Sequence, residues 1–320
     1  MWDAAYAWIR LGRRPWPRDL VVEGWIYRGR FADPSDKRWK SRLRRLMFAD
    51  LLQKGLFRKL HLHHELLYEF AAPIAINTPT SVVLAPDPIV IGDPITPADA
   101  RQKLGLADGG SPHRKWIGVP GMIAEFKGAH LLLDAYRIRS QRGDQPEVNL
   151  MLAGPHDDKI RAMLRQPPYR NAVAEGKIVS VDRFLSEDEM YWAAAACDLM
   201  VASYPRHQNR SSVILWAAAA GRPCLGTEES CVGHVIRKER LGGVCDVRDT
   251  TALANSISEM LSAPWTEDDA ARVRSYANFH RMENYQAISS KLVRSRLQSA
   301  GAAVAADQEV LADAPSQQLP

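Results

Sequence analysis

The sequence has no run of about 18 apolar residues, so no stretch of it has the length of a transmembrane helix. Its start, "MWDAAYAWIRLGRRPWPRDL", lacks the order of a secretory signal. The apolar stretch is short, the arginines follow it rather than precede it, and no small-residue cleavage site comes after. Cysteine is scarce: Cys197, Cys224, Cys231 and Cys245, at spacings of 27, 7 and 14. No common zinc or iron–sulfur pattern has those spacings. Without a secretory start, the four are expected to be small buried hydrophobes in a reducing, cytoplasmic setting. His61, His63 and His64 lie close together, and on a strand His61 and His63 would share a face. No carboxylate or cysteine partner is evident for them, so no metal site is expected. Nor does the chain carry a nucleic-acid recognition module, and nucleic acid is not an expected partner.

What is present is an ordinary globular composition. The 320 residues are 46% hydrophobic and 25% charged, enough for one large domain or two smaller ones. The charge is uneven. Residues 1–60 carry 15 Lys/Arg against 6 Asp/Glu, while the remainder carries 27 against 31. A basic N-terminal part suits an anionic membrane surface or a phosphorylated lipid, and equally a solvated helix face.

Residues 36–54, "DKRWKSRLRRLMFADLLQK", place Trp39, Leu43, Leu46, Met47 and Leu51 at helical spacing, with Arg and Lys on the other face. Gly55 ends that helix. Strands follow near 57–63 and 81–85, then a Pro-rich stretch, "PDPIVIGDPITP", with no periodicity. From residue 115 the pattern turns regular. Apolar strands at 115–119, 148–154, 177–181, 198–203 and 223–227 alternate with helical segments. One of these is "SEDEMYWAAAA", where Ser186 and Glu189 have capping-box spacing. Alternation of this kind predicts a parallel sheet covered on both faces. Ligands of such sheets sit in the loops beyond the carboxyl ends of the strands.

Three such loops carry polar or glycine residues: "GMIAEFKG", "GPHDD" and "SYPRHQNRSS". The last opens into "VILWAAAAGRP", a short helix of small residues. The free backbone N–H groups and the dipole at a helix start attract anions, phosphate above all. An ordinary N-cap at Asn209 or Ser211 explains the same residues. Lys127 precedes a helix in the first of these loops and adds a positive charge beside them.

The order of the pieces resembles the GT-B glycosyltransferases, in particular the family 4 (group 1) retaining enzymes. The resemblance rests on "ARQKLGL", "GVPGMIAEFKGAHLLLDAY", "VNLMLAGP", "FLSEDEMYWAAAACDLMVAS", "SSVILWAAAAGRPCLGT" and "ANFHRMENYQAI". It implies an α/β protein with a Rossmann-like parallel-sheet donor domain and a reduced N-terminal α/β domain. The implied division is an acceptor-side domain at 1–90 and a Pro-rich linker at 91–110. A nucleotide-sugar-binding domain at 111–277, a helix at 278–297 crossing back and a disordered tail at 298–320 complete it. The family's first domain carries a Gly-rich loop facing the acceptor, and none is visible in the first 90 residues.

The implied activity is transfer of a hexosyl-type sugar from a nucleotide-diphosphate donor, with retention and with neither metal nor cofactor. The acceptor is expected to be anionic, lipid-linked or a polysaccharide. The chain is expected to be cytoplasmic, with peripheral contact to the inner face of the membrane through residues 1–60. Lys127 takes the family's lysine position and is the expected catalytic residue, since positive groups stabilise a leaving diphosphate. Gly121, Met122, Gly154, Arg183, His207, Gln208, Arg210, Ser211 and Ser212 are the expected donor-binding residues. Met122 stands where the family has arginine. Gln208 and Trp216 stand where its two glutamates would be, and Trp216 reads as core. These departures keep open a non-catalytic binding or scaffold protein, and a different GT-B chemistry such as epimerisation or phosphorolysis.

Overall fold

The computed structural model describes residues 22–27, 29–106, 114–144, 146–205 and 211–288. The expectations for 1–21, for His207, Gln208 and Arg210, for 289–297 of the helix crossing back and for 298–320 lie outside those residues. The first domain begins with strand β1 (Glu23–Ile26), a 3-10 turn at Arg30–Ala32, and helix α1 (Trp39–Gln53). Strand β2 (Lys59–Leu62), helix α2 (Glu65–Ala75) and strand β3 (Ser81–Leu84) complete it. The three strands pair in parallel in the order β1-β2-β3, with Trp25 opposite His61 and His61 opposite Val83.

Helix α1 corrects the sequence reading of its faces. Trp39, Leu43 and Leu46, three of the five apolar residues read as one stripe, are exposed, at 69%, 47% and 70%. The side turned to the core carries Phe48, Leu51 and Leu52 instead, packed with Phe31, Leu60 and Leu62. Arg45 turns inward as well, donating from Nε to the Phe31 carbonyl at 2.7 Å. A guanidinium donating to a backbone carbonyl satisfies a group that would otherwise oppose burial.

Helix α3 (Pro97–Lys103) lies inside the span read as linker, and it packs on the second domain through the buried Ala100. Strand β4 (Lys115–Pro120) and helix α4 (Ala129–Arg142) open the second domain. Next come strand β5 (Val148–Ala153), the short helices α5 (Asp158–Leu164) and α6 (Tyr169–Ala174), and strand β6 (Ile178–Val181). Helix α7 (Glu187–Ala195), strand β7 (Leu199–Ala202), helix α8 (Ser212–Ala219) and strand β8 (Cys224–Thr227) continue it. Helix α9 (Ser230–Glu239), strand β9 (Gly242–Cys245), helix α10 (Thr250–Ser262) and helix α11 (Glu267–Phe279) end it. The sheet is parallel throughout, in the order β6-β5-β4-β7-β8-β9. Chain direction across the sheet therefore reverses between β4 and β7, where loops diverge and leave a crevice.

Composition explains why α8 is where it is. Val213, Ile214, Leu215, Trp216 and Ala217 to Ala219 are all buried, and a helix apolar on every side has no solvent face to present. Its alanines let α11 approach closely. The Trp265 indole then donates to the Gly221 carbonyl at 2.9 Å, closing that end.

The domains meet through α2. Glu65 accepts from the Tyr276 hydroxyl at 3.2 Å and lies 3.5 Å from Cys231 Sγ. Glu69 is bridged to Lys238 at 2.7 Å and to His234 at 2.9 Å. Beyond α11 the chain turns back. The His280 ring accepts from the Asp87 N–H at 3.0 Å, and Tyr285, in helical backbone over 282–288, packs 5.5 Å from Trp25 of β1. The four cysteines are buried and none is in a disulfide. Among the described residues no helix is long and apolar enough to cross a membrane.

Candidate functional site

Lys127 ends a 3-10 turn, Glu125–Lys127, directly after β4. Its neighbour Gly128 has φ of 79°, and any Cβ there would run into the Ser203 carbonyl oxygen. Ser203 Oγ in turn donates to the Gly128 carbonyl at 3.0 Å. The loop after β4 is thereby fastened to the loop after β7 at the point where the sheet reverses. Asp157 fastens the same loop from the other side. One of its oxygens accepts the Glu125 N–H at 2.7 Å and the other caps α5 through the Ile160 N–H at 2.9 Å.

The Lys127 side chain is half-buried, and burial lowers its pKa from the ordinary lysine value. Among the described residues no carboxylate or hydrogen-bond acceptor pairs with it. A desolvated, unmatched ammonium is costly, and an anion placed beside it restores the lost stabilisation.

Gly121 and Gly154 have a steric reason to be glycine. A Cβ on Gly154, where φ is 140°, would strike the Gly121 carbonyl. The ends of β4 and β5 thus pass backbone against backbone. His156 locks this corner, with Nδ1 2.7 Å from the Gly154 carbonyl and Nε2 3.0 Å from Ser180 Oγ. Met122 beside them is exposed.

Two expected donor-binding side chains already have protein partners. Ser211 is buried and caps α8, accepting the Val213 N–H at 3.2 Å and donating to the Tyr204 hydroxyl at 2.8 Å. Ser212 is exposed at the first turn of α8. Arg183 forms a two-pronged pair with Glu189, at 2.6 and 2.9 Å, and Glu189 also closes the capping box with Ser186. Trp216 lies in the core, as its surroundings in sequence suggest.

Beside these loops a cavity of about 750 Å³ opens between the domains. Tyr204, Pro205, Thr227, Glu229 and Arg248 line it from the second domain, Asp36, Lys37, Arg38 and His64 from the first. Gly128 reaches it indirectly, since a Cβ there would lie 3.1 Å from Pro205 Cδ. Many of its charges are internally matched. Arg38 holds Asp36 at 2.5 and 2.8 Å, and Arg248 holds both Glu229, at 2.8 Å, and Asp246, at 2.9 Å. Burial pushes the Tyr204 hydroxyl up to about 12, so it stays a neutral hydrogen-bonding group. The lining from β8, β9 and the first domain escaped the sequence reading. The rule that loops after strands line sites covers Glu229 and Arg248, while Asp36, Lys37 and Arg38 were read only as the start of the helical segment over 36–54.

The histidine trio is structural. His61 stacks on Trp25 at 4.4 Å, and His64 caps α2 through the Leu67 N–H. Among the described residues no group of three His, Cys, Asp or Glu could hold a metal ion.

Two parallel α/β domains that face one cleft, with the last helix returning to the first domain, define the GT-B fold. Three solved structures have it in common with this chain. The UDP complex of Anabaena Alr3699/HepE aligns with a TM-score of 0.59 at 16% identity, over 91% of this chain and 75% of that one. Sucrose-phosphate synthase from Thermosynechococcus elongatus gives 0.59 at 16%, over 93% and 72%. The α,α-trehalose 6-phosphate synthase of Burkholderia multivorans gives 0.55 at 13%, over 92% and 70%. Residues 114–263, most of the second domain, match the sequence model of the glycosyl transferases group 1. No curated protein sequence matches the chain.

Proposed function

We propose that this protein transfers a hexosyl-type sugar from a nucleotide-diphosphate donor to a lipid-linked or otherwise anionic acceptor, for polysaccharide assembly at the inner face of the membrane. The carrying observation is Lys127, a desolvated ammonium with no described partner, fastened by Gly128 and Ser203 to the loop that leads to α8. The donor's diphosphate takes the place beside it, near the start of α8, where the first-turn N–H groups and the helix dipole add positive potential. The match to glycosyl transferases group 1 and the UDP bound by Alr3699/HepE support this placement.

In the transfer, the bond between the sugar's anomeric carbon and the diphosphate oxygen breaks, and the electron pair leaves with the diphosphate. An acceptor hydroxyl oxygen forms the new bond, and its proton passes to the departing phosphate. Lys127 stabilises the charge that grows on the leaving oxygens. Positive groups of the chain serve in place of a metal, and the configuration is retained. Gly121 and Gly154 let the backbone approach the donor; Met122, Arg183, Ser212 and the loop residues His207, Gln208 and Arg210 complete its surroundings.

Calorimetric titration with UDP, GDP and ADP tests the reading, with Lys127→Ala beside the wild type. Binding of one nucleotide that the variant loses supports it, and no binding by a folded protein refutes it. A second reading has a specific basis: Arg183 and Ser211 are tied to Glu189 and Tyr204, as in a protein that binds without turnover. Nucleotide binding with no sugar transfer or donor hydrolysis would favour that second reading.

A further inference from the structure

The cavity between the domains has a second end, away from Lys127. Strand β8 runs beside β7 with Ala202 opposite Gly226, so Thr227 stands one residue past the last pair and next to the Ser203 tether. Thr227 is only 5% exposed and lines the cavity, and its hydroxyl has no hydrogen-bond partner among the described residues. Ser230, the first residue of α9, lines the same cavity, and its hydroxyl oxygen is buried without a partner as well. The N-cap residue Glu229 makes no side-chain cap on α9, and the first turn holds no acidic residue. The positive end of that helix, with its first-turn N–H groups, therefore borders the space that Thr227 and Ser230 line. The first domain supplies the opposite wall. Lys37 lines it, is exposed, and is in no ion pair among the described residues. The other charges there are taken. Arg38 holds Asp36, Arg248 holds Glu229 and Asp246, and Asp33 accepts from Ser35.

We infer that the start of α9, with Thr227, Ser230 and Lys37, is a second anion site, and that it takes a phosphate group. Two hydroxyls, a helix start and an ammonium can each donate a hydrogen bond. The carboxylates beside them are already held by arginines or by Ser35, so this part of the cavity offers donors and few acceptors. Phosphate oxygens accept, which suits such a set, whereas the hydroxyls of a neutral sugar also donate and would find little to receive their protons. Buried hydroxyls without partners are costly, and a phosphate supplies the acceptor they lack. The site is separate from that of Lys127. In the sheet order β4-β7-β8 the two lie on opposite sides of β7, with the Gly128–Ser203 tether between them. A phosphate at α9 therefore lies beside the place of the donor's diphosphate without sharing it. Its role there is to anchor an acceptor that carries a phosphate ester. That role rests on the transfer reading, whereas the site itself does not.

Calorimetric titration of the full chain with inorganic phosphate and with glycerol 3-phosphate tests it, on the wild type, Lys127→Ala, Lys37→Gln, Thr227→Val and Ser230→Gly. Valine keeps the branched shape of threonine, and Ser230 has φ of 63°, where glycine is at ease, so both changes remove a hydroxyl with little strain. Lys37 is exposed, so Lys37→Gln keeps the test should a buried variant fail to fold. The wild type and Lys127→Ala should bind glycerol 3-phosphate alike. Each of the other three should bind it at least about fivefold more weakly, with melting unchanged and UDP affinity within about twofold. A wild type that binds neither phosphate, or variants that bind as well as it does, overturns the proposal. So does loss in Lys127→Ala alone, which would place the phosphate with the donor. So does loss of UDP affinity in the three variants, which would make Thr227 and Ser230 part of the donor site. Tighter binding of the ester than of the free ion supports the acceptor role, and the reverse supports the site but overturns that role. Phosphate binding without any nucleotide binding supports the site and refutes the transfer reading. UDP binding without phosphate binding supports the transfer reading and overturns the site.

Discussion

Ser203 Oγ and the Gly128 carbonyl lie 3.0 Å apart, joining the loops that leave β4 and β7. Those two strands are neighbours at the reversal of the sheet, 82 residues apart in sequence along their pairing (Ile117 opposite Leu199, Gly118 opposite Met200). The bond therefore fixes where Lys127 stands relative to the start of α8. Ser203→Ala removes this donor and leaves the Gly128 carbonyl with the Leu132 N–H, costing about 1 kcal/mol. Gly128→Ala is harsher, because it meets both a positive φ and the Ser203 backbone. Differential scanning calorimetry should rank the two in that order, with UDP binding lost in the glycine variant.

Lys127 is expected to trade stability for binding. Its pKa is lowered by burial, so at neutral pH the folded state carries a charge it solvates poorly. That penalty is full below the folded pKa. It fades as pH rises and is gone above the unfolded value of 10.5. Lys127→Met should accordingly raise Tm by about 1–3 °C at pH 7 while weakening UDP binding by about tenfold or more. The Tm gain should vanish near pH 11. A destabilised variant would mean that a partner already satisfies the ammonium.

Arg183 and Glu189 give a test of whether the site is inhibited by its own ion pair. The Arg183 guanidinium lowers the Glu189 carboxyl to about 2, helped by the Ser186 N–H. A depressed carboxylate stabilises the fold above its unfolded value of 4.5, and that stability is lost as pH falls through about 2. Glu189→Gln should flatten this acid limb of the Tm profile and cost little at pH 7, since the pair is exposed. It also frees Arg183. If Arg183 serves the diphosphate, UDP binds the variant more tightly; equal affinity would assign Arg183 to the helix cap alone.

Much of this was legible in the sequence, and the residues show where legibility stopped. Five of the six strands of the second domain announce themselves because each is mostly apolar and is followed by helical spacing, whereas β9, which opens on Gly242 and Gly243, was not read as a strand. The cap at Ser186 is a three-residue pattern, and its extension to Arg183 spans only three more. Helix α1 was placed correctly but turned wrongly. Periodicity reports that a helix has a stripe, and here the stripe and the core face differ because Arg45 is needed inside. The cavity was not legible at all from its first-domain side. Asp36 and Arg38 meet Glu229 and Arg248 across one space, nearly 200 residues apart, and no local pattern carries that distance.

The domain contact through α2 should respond to a single charge. Burial pushes the Glu69 carboxyl up, but hydrogen bonds from Lys238 and His234 more than offset this and lower it overall. Removing the carboxylate leaves the Lys238 ammonium and the His234 ring of α9 facing α2 without the acceptor they share. Glu69→Gln should therefore loosen the contact between the domains without touching the loops around Lys127. Small-angle scattering should show a larger radius of gyration, while UDP affinity stays within about twofold, because those loops lie within the second domain alone. Turnover should fall more than binding, since transfer needs the two walls of the cavity, Lys37 and Arg38 on one side and Thr227 and Arg248 on the other, to stand close together. An unchanged radius with unchanged turnover would show that Glu65, with Tyr276 and Cys231, holds the domains together without Glu69.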